Sequence, residues 1–329
     1  MSKAIRIQAT GGPETLVWET VAPGRPAPQE ALVRHEAVGL NFIDVYHRTG
    51  LYPLPELPAV LGLEAAGVIE ELGQDAGGLG LAVGDRVAYA GAPVGAYSQR
   101  RCLPAHRLVK LPDEIGAQEA AAMMLKGMTA RYLLHGCYPV AGGDTILIHA
   151  AAGGVGSMVC QWARHLGATV IGTVGSAEKA ARAQKAGCHH PIEYGREDFN
   201  RRVMEITNGR GVDVVYDSVG QATFDGSLAC LRPLGTLVSF GQSSGSVPPV
   251  DLGRLAAQGS VFLTRPSLLT YTAAREDLVA HARDLFEVVD KGAVKVTDER
   301  TYPLAEAAQA HRDLESPKTI VAAVLLTRW

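Results

Sequence analysis

The sequence predicts an α/β protein in which a doubly wound parallel sheet is joined to an irregular, mostly antiparallel β domain. Three observations carry this expectation. From residue 144 onward, apolar β-branched runs alternate with helix-forming segments of about 10–15 residues. One strand-to-helix junction in that stretch is a run of small residues, Ala151-Ala152-Gly153-Gly154-Val155-Gly156. The first ~120 residues instead break into short β segments separated by Gly and Pro.

Taken in order, strands are expected over 31–36, 66–72 and 83–90, with prolines clustered at 23–28 and 53–58 where regular helix would be interrupted. The texture changes near 117, where 117–132 (AQEAAAMMLKGMTARY) has helix-forming composition. A buried strand follows at 145–149 (TILIH), then a helix over 154–166 that stops at Gly167. The pattern repeats with a strand at 169–174 and a helix at 177–186 ending at Gly187. A helix over 198–207 stops near Asn208-Gly209, and strands are expected at 212–216 (VDVVY) and 235–240 (GTLVSF). The tail combines a helix over 276–291 with strand-like ends that could return to the first domain.

The length of 329 residues accommodates two domains at roughly 150 residues each. Lys and Arg number 31 against 34 Asp and Glu, so no basic excess recommends nucleic acid as the main ligand. The longest apolar run, 320–326 (IVAAVLL), falls far short of the ~20 residues that cross a bilayer. The opening MSKAIRIQATGG lacks the apolar stretch of a signal peptide, and a cytoplasmic location is expected. The five cysteines, Cys102, Cys137, Cys160, Cys188 and Cys230, are scattered without the spacing of a zinc knuckle or a redox pair, which suits reduced thiols.

The small-residue turn carries the strongest chemical signal. Small residues at 151–156 permit a tight turn, let backbone approach a pyrophosphate and allow close packing of helix on strand. The helix beginning at Gly154 would aim free N–H groups and its positive dipole end at the phosphates. A βα turn without a ligand is the plain structural alternative. About 20 residues further on, dinucleotide sites that take NAD place an Asp or Glu on the ribose hydroxyl. Here that stretch reads Ile171-Gly172-Thr173-Val174-Gly175-Ser176, with no carboxylate. A 2′-phosphate is tolerated there, with Lys179 and Tyr194 as candidate contacts, which favours NADPH over NADH. An ordinary solvated helix lysine is the other reading of Lys179.

Several segments together resemble one family. The HAAAGGVG turn, the run Gly39-Leu40-Asn41-Phe42-Ile43-Asp44-Val45-Tyr46 and the run Arg48-Thr49-Gly50-Leu51-Tyr52-Pro53 stand in order with Asp217-Ser218-Val219-Gly220, Ser239-Phe240-Gly241 and Thr264-Arg265-Pro266-Ser267-Leu268. In combination, across nearly the whole chain, they resemble the NADPH-dependent quinone oxidoreductases, the zeta-crystallin-like, zinc-free branch of the medium-chain dehydrogenase/reductases. The resemblance implies a GroES-like catalytic domain at 1–125, a Rossmann NADPH-binding domain at 126–263 and a return to the catalytic domain at 264–329. It also implies an active cleft between the domains, a homodimer and a quinone as the small-molecule substrate.

Zinc-dependent relatives carry a Cys and a Gly-His-Glu motif as metal ligands. The resemblance sets Asn41 against the Cys and Gly62-Leu63-Glu64 against the motif, and neither Asn nor Leu is an ordinary zinc ligand. No metal is expected. The adjacent pair His189-His190 has no cysteine nearby. Without a metal to polarise an alcohol or carbonyl, an acceptor that is already electrophilic is favoured, a quinone first and an α,β-unsaturated aldehyde or ketone second. A non-enzymatic NADPH-binding protein is the third reading.

The resemblance places Asn41, Asp44, Tyr46 and Tyr52 near the nicotinamide and the substrate. Asn41 could hydrogen-bond the cofactor or the acceptor's carbonyl, and Asp44 could orient its neighbours. Tyr46 and Tyr52 offer faces to a flat ring, or else merely pack with wet tips. The resemblance puts Phe42, Lys126, Thr129 and Tyr132 near the cofactor, along with Asn41 and Tyr46. Ser218, the strand end Phe240-Gly241-Gln242-Ser243 and Arg265-Pro266 join that set, because a doubly wound sheet binds its ligand beyond its strand ends. Some relatives carry an Arg after the Glu-Ser pair near the C-terminus; here Glu315-Ser316 runs into Pro317-Lys318, leaving Lys318 as an open substitute. No His–Asp or Ser–His pairing is evident in the sequence, and no general acid is assigned.

Overall fold

The computed structural model describes residues 2–296, 300–316 and 322–327. The chain forms two compact units, one comprising Met1–Lys126, Thr272–Phe286 and Val296–Trp329, the other Gly127–Tyr271 and Glu287–Lys295.

The first unit is β-rich. Its long strand Glu30–Leu40 alternates buried and half-buried positions along its first half and is buried on both faces at its end, the mark of a central strand. It pairs antiparallel with Glu64–Leu72, setting Gly39 opposite Glu64. It also pairs antiparallel with Arg100–Pro104 and with Ala323–Leu326 from the far end of the chain, where Leu325 faces Val38. A separate three-stranded sheet joins Val17–Val21, Ser2–Ile7 and Ala59–Val60. Ile5, Ile7, Val33, Leu40, Ile69, Tyr89, Tyr97 and Leu103 build the core of this unit. A helix that the sequence pattern did not signal, Phe42–Thr49, leaves the end of the central strand through the N-cap Asn41.

The second unit holds a six-stranded parallel sheet. Numbered along the chain, Thr145–Ile148, Thr169–Val174, His190–Glu193, Val212–Asp217, Leu231–Ser239 and Phe262–Thr264 lie in the order 3-2-1-4-5-6. That is the doubly wound order, with its switch point between the first and fourth strands. The runs TILI and VDVVYD are almost wholly buried, as a sheet covered on both faces requires. Helices alternate with the strands at Gly154–His165, Ala177–Lys185, Phe199–Ile206 and Phe224–Ala229. Leu147, Ile171, Val203, Val215 and Leu237 fill the space between. The expected α/β architecture, a β-rich unit and a parallel doubly wound sheet, is the one observed. The strand expected at 83–90 begins only at Arg86, because Gly84 at φ +90 and the Asp85 side chain, which accepts from Ala82 N at 2.9 Å, make a turn there.

Candidate active site

In the parallel-sheet unit the first strand ends at Ile148 and the chain turns sharply, with Ala150 at φ +53 and Gly153 N donating to Ala150 O at 2.8 Å. Helix Gly154–His165 starts at once from the N-cap Gly153. A Cβ at Gly156 would stand 2.2 Å from Ala150 O, so only glycine lets the helix lie this close to the turn. Gly153, Gly154, Val155 and Gly156 therefore form the first turn of a 12-residue helix whose leading N–H groups have no partner within the helix.

The neighbouring strand ends at Val174, and Ser176 caps the next helix by accepting from Lys179 N at 3.3 Å. The Tyr194 hydroxyl, at the end of the adjoining strand, lies 2.8 Å from where a Gly175 Cβ would stand. The structure thus brings Gly175, Ser176, Lys179 and Tyr194 to one rim, beside the Gly153–Gly156 turn. No carboxylate stands in 171–176.

A third cluster gathers at the fourth and fifth strand ends. Phe240 N donates to Asp217 O at 2.8 Å, Ser243 N to Ser218 O at 3.2 Å, and Gly241 packs so closely on Ser218 that a Cβ would meet its carbonyl oxygen at 2.5 Å. Arg265 pins this loop by donating to Ser239 O at 2.9 Å and Gly241 O at 3.1 Å, and Pro266 follows it. Gln242 approaches Gly220. Tyr132 stacks on Tyr271 with centroids 4.9 Å apart, and Thr129 is buried one helical turn earlier.

Beneath these loops runs a buried polar row that sequence reading missed. Thr173 Oγ1 and Ser227 Oγ flank His149 at 2.8 and 2.9 Å, and Ser227 donates to Asp217 at 2.7 Å. Because Ser227 donates to the carboxylate, it accepts from His149 Nε2–H, and Nδ1 accepts from Thr173. A Ser–His pairing exists after all, but serine rather than histidine sits at the centre and all members are buried. The row braces the strand ends and does not activate a nucleophile.

In the β-rich unit Asn41 and Asp44 form a capping box at the head of helix Phe42–Thr49. Asp44 Oδ2 accepts from Asn41 N at 2.9 Å and from Tyr97 at 3.0 Å, while Oδ1 is buried without a hydrogen bond. Burial pushes the Asp44 carboxyl up to about 7, against the opposing pull of these hydrogen bonds. Tyr97 also meets His311 Nε2 at 2.9 Å, and Arg48 donates to His311 Nδ1 at 3.0 Å while forking onto Glu315 at 2.8 and 2.9 Å. Arginine only donates, so His311 Nδ1 accepts and Nε2 carries the hydrogen. Burial, reinforced by Arg48, lowers His311 to about 3 and keeps it neutral.

On its other side Asn41 Nδ2 donates to Glu64 Oε2 at 2.7 Å, and Leu125 N donates to Oε1 at 2.7 Å. Lys126 Nζ stands 3.6 Å from the same carboxylate and 3.4 Å from Leu40 O. Burial raises the Glu64 pKa and the Lys126 ammonium opposes it. Phe42, Tyr46 and Tyr52 form an aromatic group, with centroids 5.6 Å apart for the first pair and 5.0 Å for the second. Phe42 is 39% exposed, so the group is open at this residue.

The sequence signals Asn41, Asp44, Tyr46 and Tyr52 are thus gathered on one short helix and the turn after it. Tyr97, His311, Arg48, Glu64 and Glu315 were missed as site neighbours. The spacing Asn41-x-x-Asp44 is itself a capping-box signal, but nothing in the sequence foretells that Asp44 meets Tyr97, 53 positions away, or that Arg48 meets His311, 263 positions away. Lys318 lies outside the described residues. The donor set does not fit zinc: Leu63 offers no ligand atom, and both Glu64 oxygens already accept short hydrogen bonds. Among the described residues, no group of three or more His, Cys, Asp or Glu is placed to hold a metal ion.

Comparison with known proteins agrees with this two-part arrangement. Residues 27–113 match the alcohol dehydrogenase GroES-like domain and residues 154–283 the zinc-binding dehydrogenase domain. A quinone oxidoreductase of Pseudomonas aeruginosa is 49% identical over 99% of this chain and 100% of its own. A 2-haloacrylate reductase from a Burkholderia species is 47% identical, covering 99% of each. The crystal structure of Escherichia coli quinone oxidoreductase complexed with NADPH superposes with a TM-score of 0.96 at 45% identity, over 99% of this chain and 100% of the other. With a GroES-like half, a doubly wound half and near-complete coverage at such identity, the chain belongs to the quinone oxidoreductase family of the medium-chain dehydrogenase/reductases.

Proposed function

We propose that the protein is an NADPH:quinone oxidoreductase that works without zinc. The observation that carries this reading is the pairing of a phosphate turn with a carboxylate-free, lysine-bearing rim at Gly175, Ser176 and Lys179, in a chain 45% identical to a quinone oxidoreductase complexed with NADPH. The turn Gly153–Gly156 takes the pyrophosphate, Ser176 and Lys179 take the 2′-phosphate, and Tyr194 covers Gly175 beside it. Ser218, Phe240, Gly241, Gln242, Ser243, Arg265 and Pro266 form the strand-end loops of the cofactor site, together with Thr129 and Tyr132. When bound, NADPH supplies a hydride. Phe42, Tyr46 and Tyr52 hold a flat conjugated ring by its face and exclude water from it, while Asn41, fixed by Asp44 and Glu64, orients the ring's oxygen.

A second reading is favoured by the 2-haloacrylate reductase relative at 47% identity, namely reduction of a conjugated carbon–carbon double bond. Comparing NADPH-dependent turnover of 1,4-benzoquinone with that of an alkenal and of 2-chloroacrylate separates the two. Quinone turnover is expected to be faster; faster reduction of the alkene sinks the quinone reading. A homodimer is part of the proposal, supported by the edge strand Phe262–Thr264, where Phe262 is 61% exposed and Leu252 nearby in sequence is 74% exposed. Light scattering at the mass of one chain would contradict it. A cytoplasmic site of action is supported by five cysteines that are all unpaired. No helix among the described residues is long and apolar enough to cross a membrane.

A further inference from the structure

Lys126 is a buried charge in the β-rich unit with only long contacts. Its side chain is 8% exposed, yet its ammonium has no described contact shorter than 3.4 Å. The reason lies in Glu64. That carboxylate is fully buried and each of its oxygens accepts one hydrogen bond at 2.7 Å, from Leu125 N and from Asn41 Nδ2, which hold it aligned on them with Lys126 at 3.6 Å. Buried ammonium groups ordinarily make short, charge-assisted hydrogen bonds of about 2.7–2.9 Å. Asn41 is in a matching condition. One hydrogen of its Nδ2 goes to Glu64, which fixes the amide's orientation and turns the second hydrogen away from the carboxylate. Two donors, one of them cationic, are thus anchored on the same carboxylate with donor capacity to spare.

We propose that Lys126 and Asn41 together form an oxyanion site that binds the acceptor's oxygen and stabilises the negative charge it gains on reduction. The inference rests on the quinone-reductase reading and extends it by naming the group that replaces a metal as electrophile. The chemistry balances: the quinone receives a hydride, meaning two electrons and one hydrogen, as NADPH becomes NADP⁺, and the product is a hydroquinone monoanion. One proton from solvent then completes the hydroquinone. The ammonium acts while charge develops on oxygen, which is when a fixed, already oriented cation lowers the barrier most. Glu64 is a positioning residue in this scheme, because it holds both donors without touching the acceptor.

The test uses the full-length enzyme with NADP⁺ bound and 4-nitrophenol as a probe whose phenolate is coloured. In the wild type the bound phenol gives up its proton at least about tenfold more readily than free phenol, as an adjacent cation dictates. Lys126→Met should abolish that effect and lower kcat for 1,4-benzoquinone on the order of 10²-fold. Lys126→Arg should retain most of both. Because Lys126→Met strands the Glu64 charge, the double variant Lys126→Met/Glu64→Gln, which stays neutral, should behave like the single one. Because Lys126 also stands in the set expected near the cofactor, kcat is read at saturating NADPH, whose affinity is followed by the cofactor's own fluorescence. No phenolate binding or no enhanced ionisation in the wild type overturns the proposal. So does an unchanged probe in Lys126→Met accompanied by a tenfold loss of NADPH affinity, since Lys126 would then serve the cofactor. If the wild type reduces no quinone, the functional reading fails while the probe still reports on Lys126 directly.

Discussion

Tyr97 donates its phenolic hydrogen to Asp44 at 3.0 Å while its oxygen accepts from His311 Nε2 at 2.9 Å, so the phenol is a fixed link between the head of helix Phe42–Thr49 and the C-terminal helix Ala307–Glu315. All the hydrogen bonds of this row point the same way, from Arg48 through His311 and Tyr97 to Asp44. Its terminal carboxyl sits in full burial with one oxygen unpartnered.

That arrangement has a pH signature. Burial lifts the Asp44 carboxyl from 3.8 to about 7, so between those values the folded protein holds a proton that the unfolded chain has released. Stability from this group is complete below about pH 4 and is lost as pH rises through about 7. The loss is at most about 4 kcal/mol at ~1.36 kcal/mol per pKa unit. Asp44→Asn keeps an oxygen for Tyr97 and Asn41 N but has no proton to lose. The difference in Tm between variant and wild type should therefore widen from pH 5 to pH 8 in favour of the variant and then level off. His35 and His311, each lowered to about 3, destabilise the fold on the acid side, but equally in both proteins, and drop out of the difference. A pH-independent difference would show that Asp44 is ionised across the range.

Lys179 tests the cofactor assignment. Its backbone N–H is bound by Ser176, which places the residue in the first turn of helix Ala177–Lys185, where its ammonium can reach an anion on the rim. Lys179→Ala should weaken NADPH by about tenfold, the scale of one charge-assisted contact, and leave NADH almost unchanged. Equal losses for the two cofactors, measured by fluorescence titration, would show that Lys179 does not hold the 2′-phosphate.

The parallel-sheet half was legible because its signals are local. Runs such as TVIGTV and a small-residue turn fix strand, turn and helix within a few residues, and Thr169–Val174 and Ala117–Tyr132 begin and end where composition places them. The β-rich half was less so. Helix Phe42–Thr49 hides behind β-branched and aromatic residues whose intrinsic preference is for strand, and its local cues are confined to its ends, a capping box and the left-handed Gly50. The site's polar partners were out of reach for a different reason. Asn41 meets Glu64 only through the Gly39–Glu64 register of two antiparallel strands, and His311 reaches Tyr97 across 214 positions. Such contacts depend on tertiary register, and no periodicity encodes them.

Gly156 tests the close packing of helix on turn. A Cβ there would press to 2.2 Å against Ala150 O and 2.9 Å against Ala151 Cα, both backbone atoms that cannot rotate away. Gly156→Ala should cost about 1–3 kcal/mol in urea unfolding and weaken NADPH, because relief requires the helix N-terminus to move off the turn. Gly153→Ala is the control: its Cβ would sit 3.1 Å from the same oxygen, and Gly153 has a φ of −78, so the loss should be smaller. Equal losses would mean that backbone freedom, and not contact, is what these glycines provide.

His149 separates bracing from chemistry. It lies between Thr173 on the second strand and Ser227 on the helix after the fourth, and Ser227 passes the connection to Asp217, which also accepts from Val219 N at 2.8 Å and Gly220 N at 3.0 Å. Loops 149–153 and 217–220 both belong to the proposed cofactor site, so their spacing depends on an imidazole that is 1% exposed and kept neutral by burial. His149→Phe fills the volume but takes from Thr173 the acceptor of its hydroxyl hydrogen, at a cost of about 1–3 kcal/mol if it stays dry, while Ser227 keeps its bond to Asp217 and loses only the one it accepts. It should lower Tm and raise the NADPH dissociation constant, while kcat at saturating NADPH stays near the wild-type value. A fall in kcat of the order seen for general acid–base groups, ~10²-fold or more, with NADPH affinity intact, would instead place His149 in the proton chemistry.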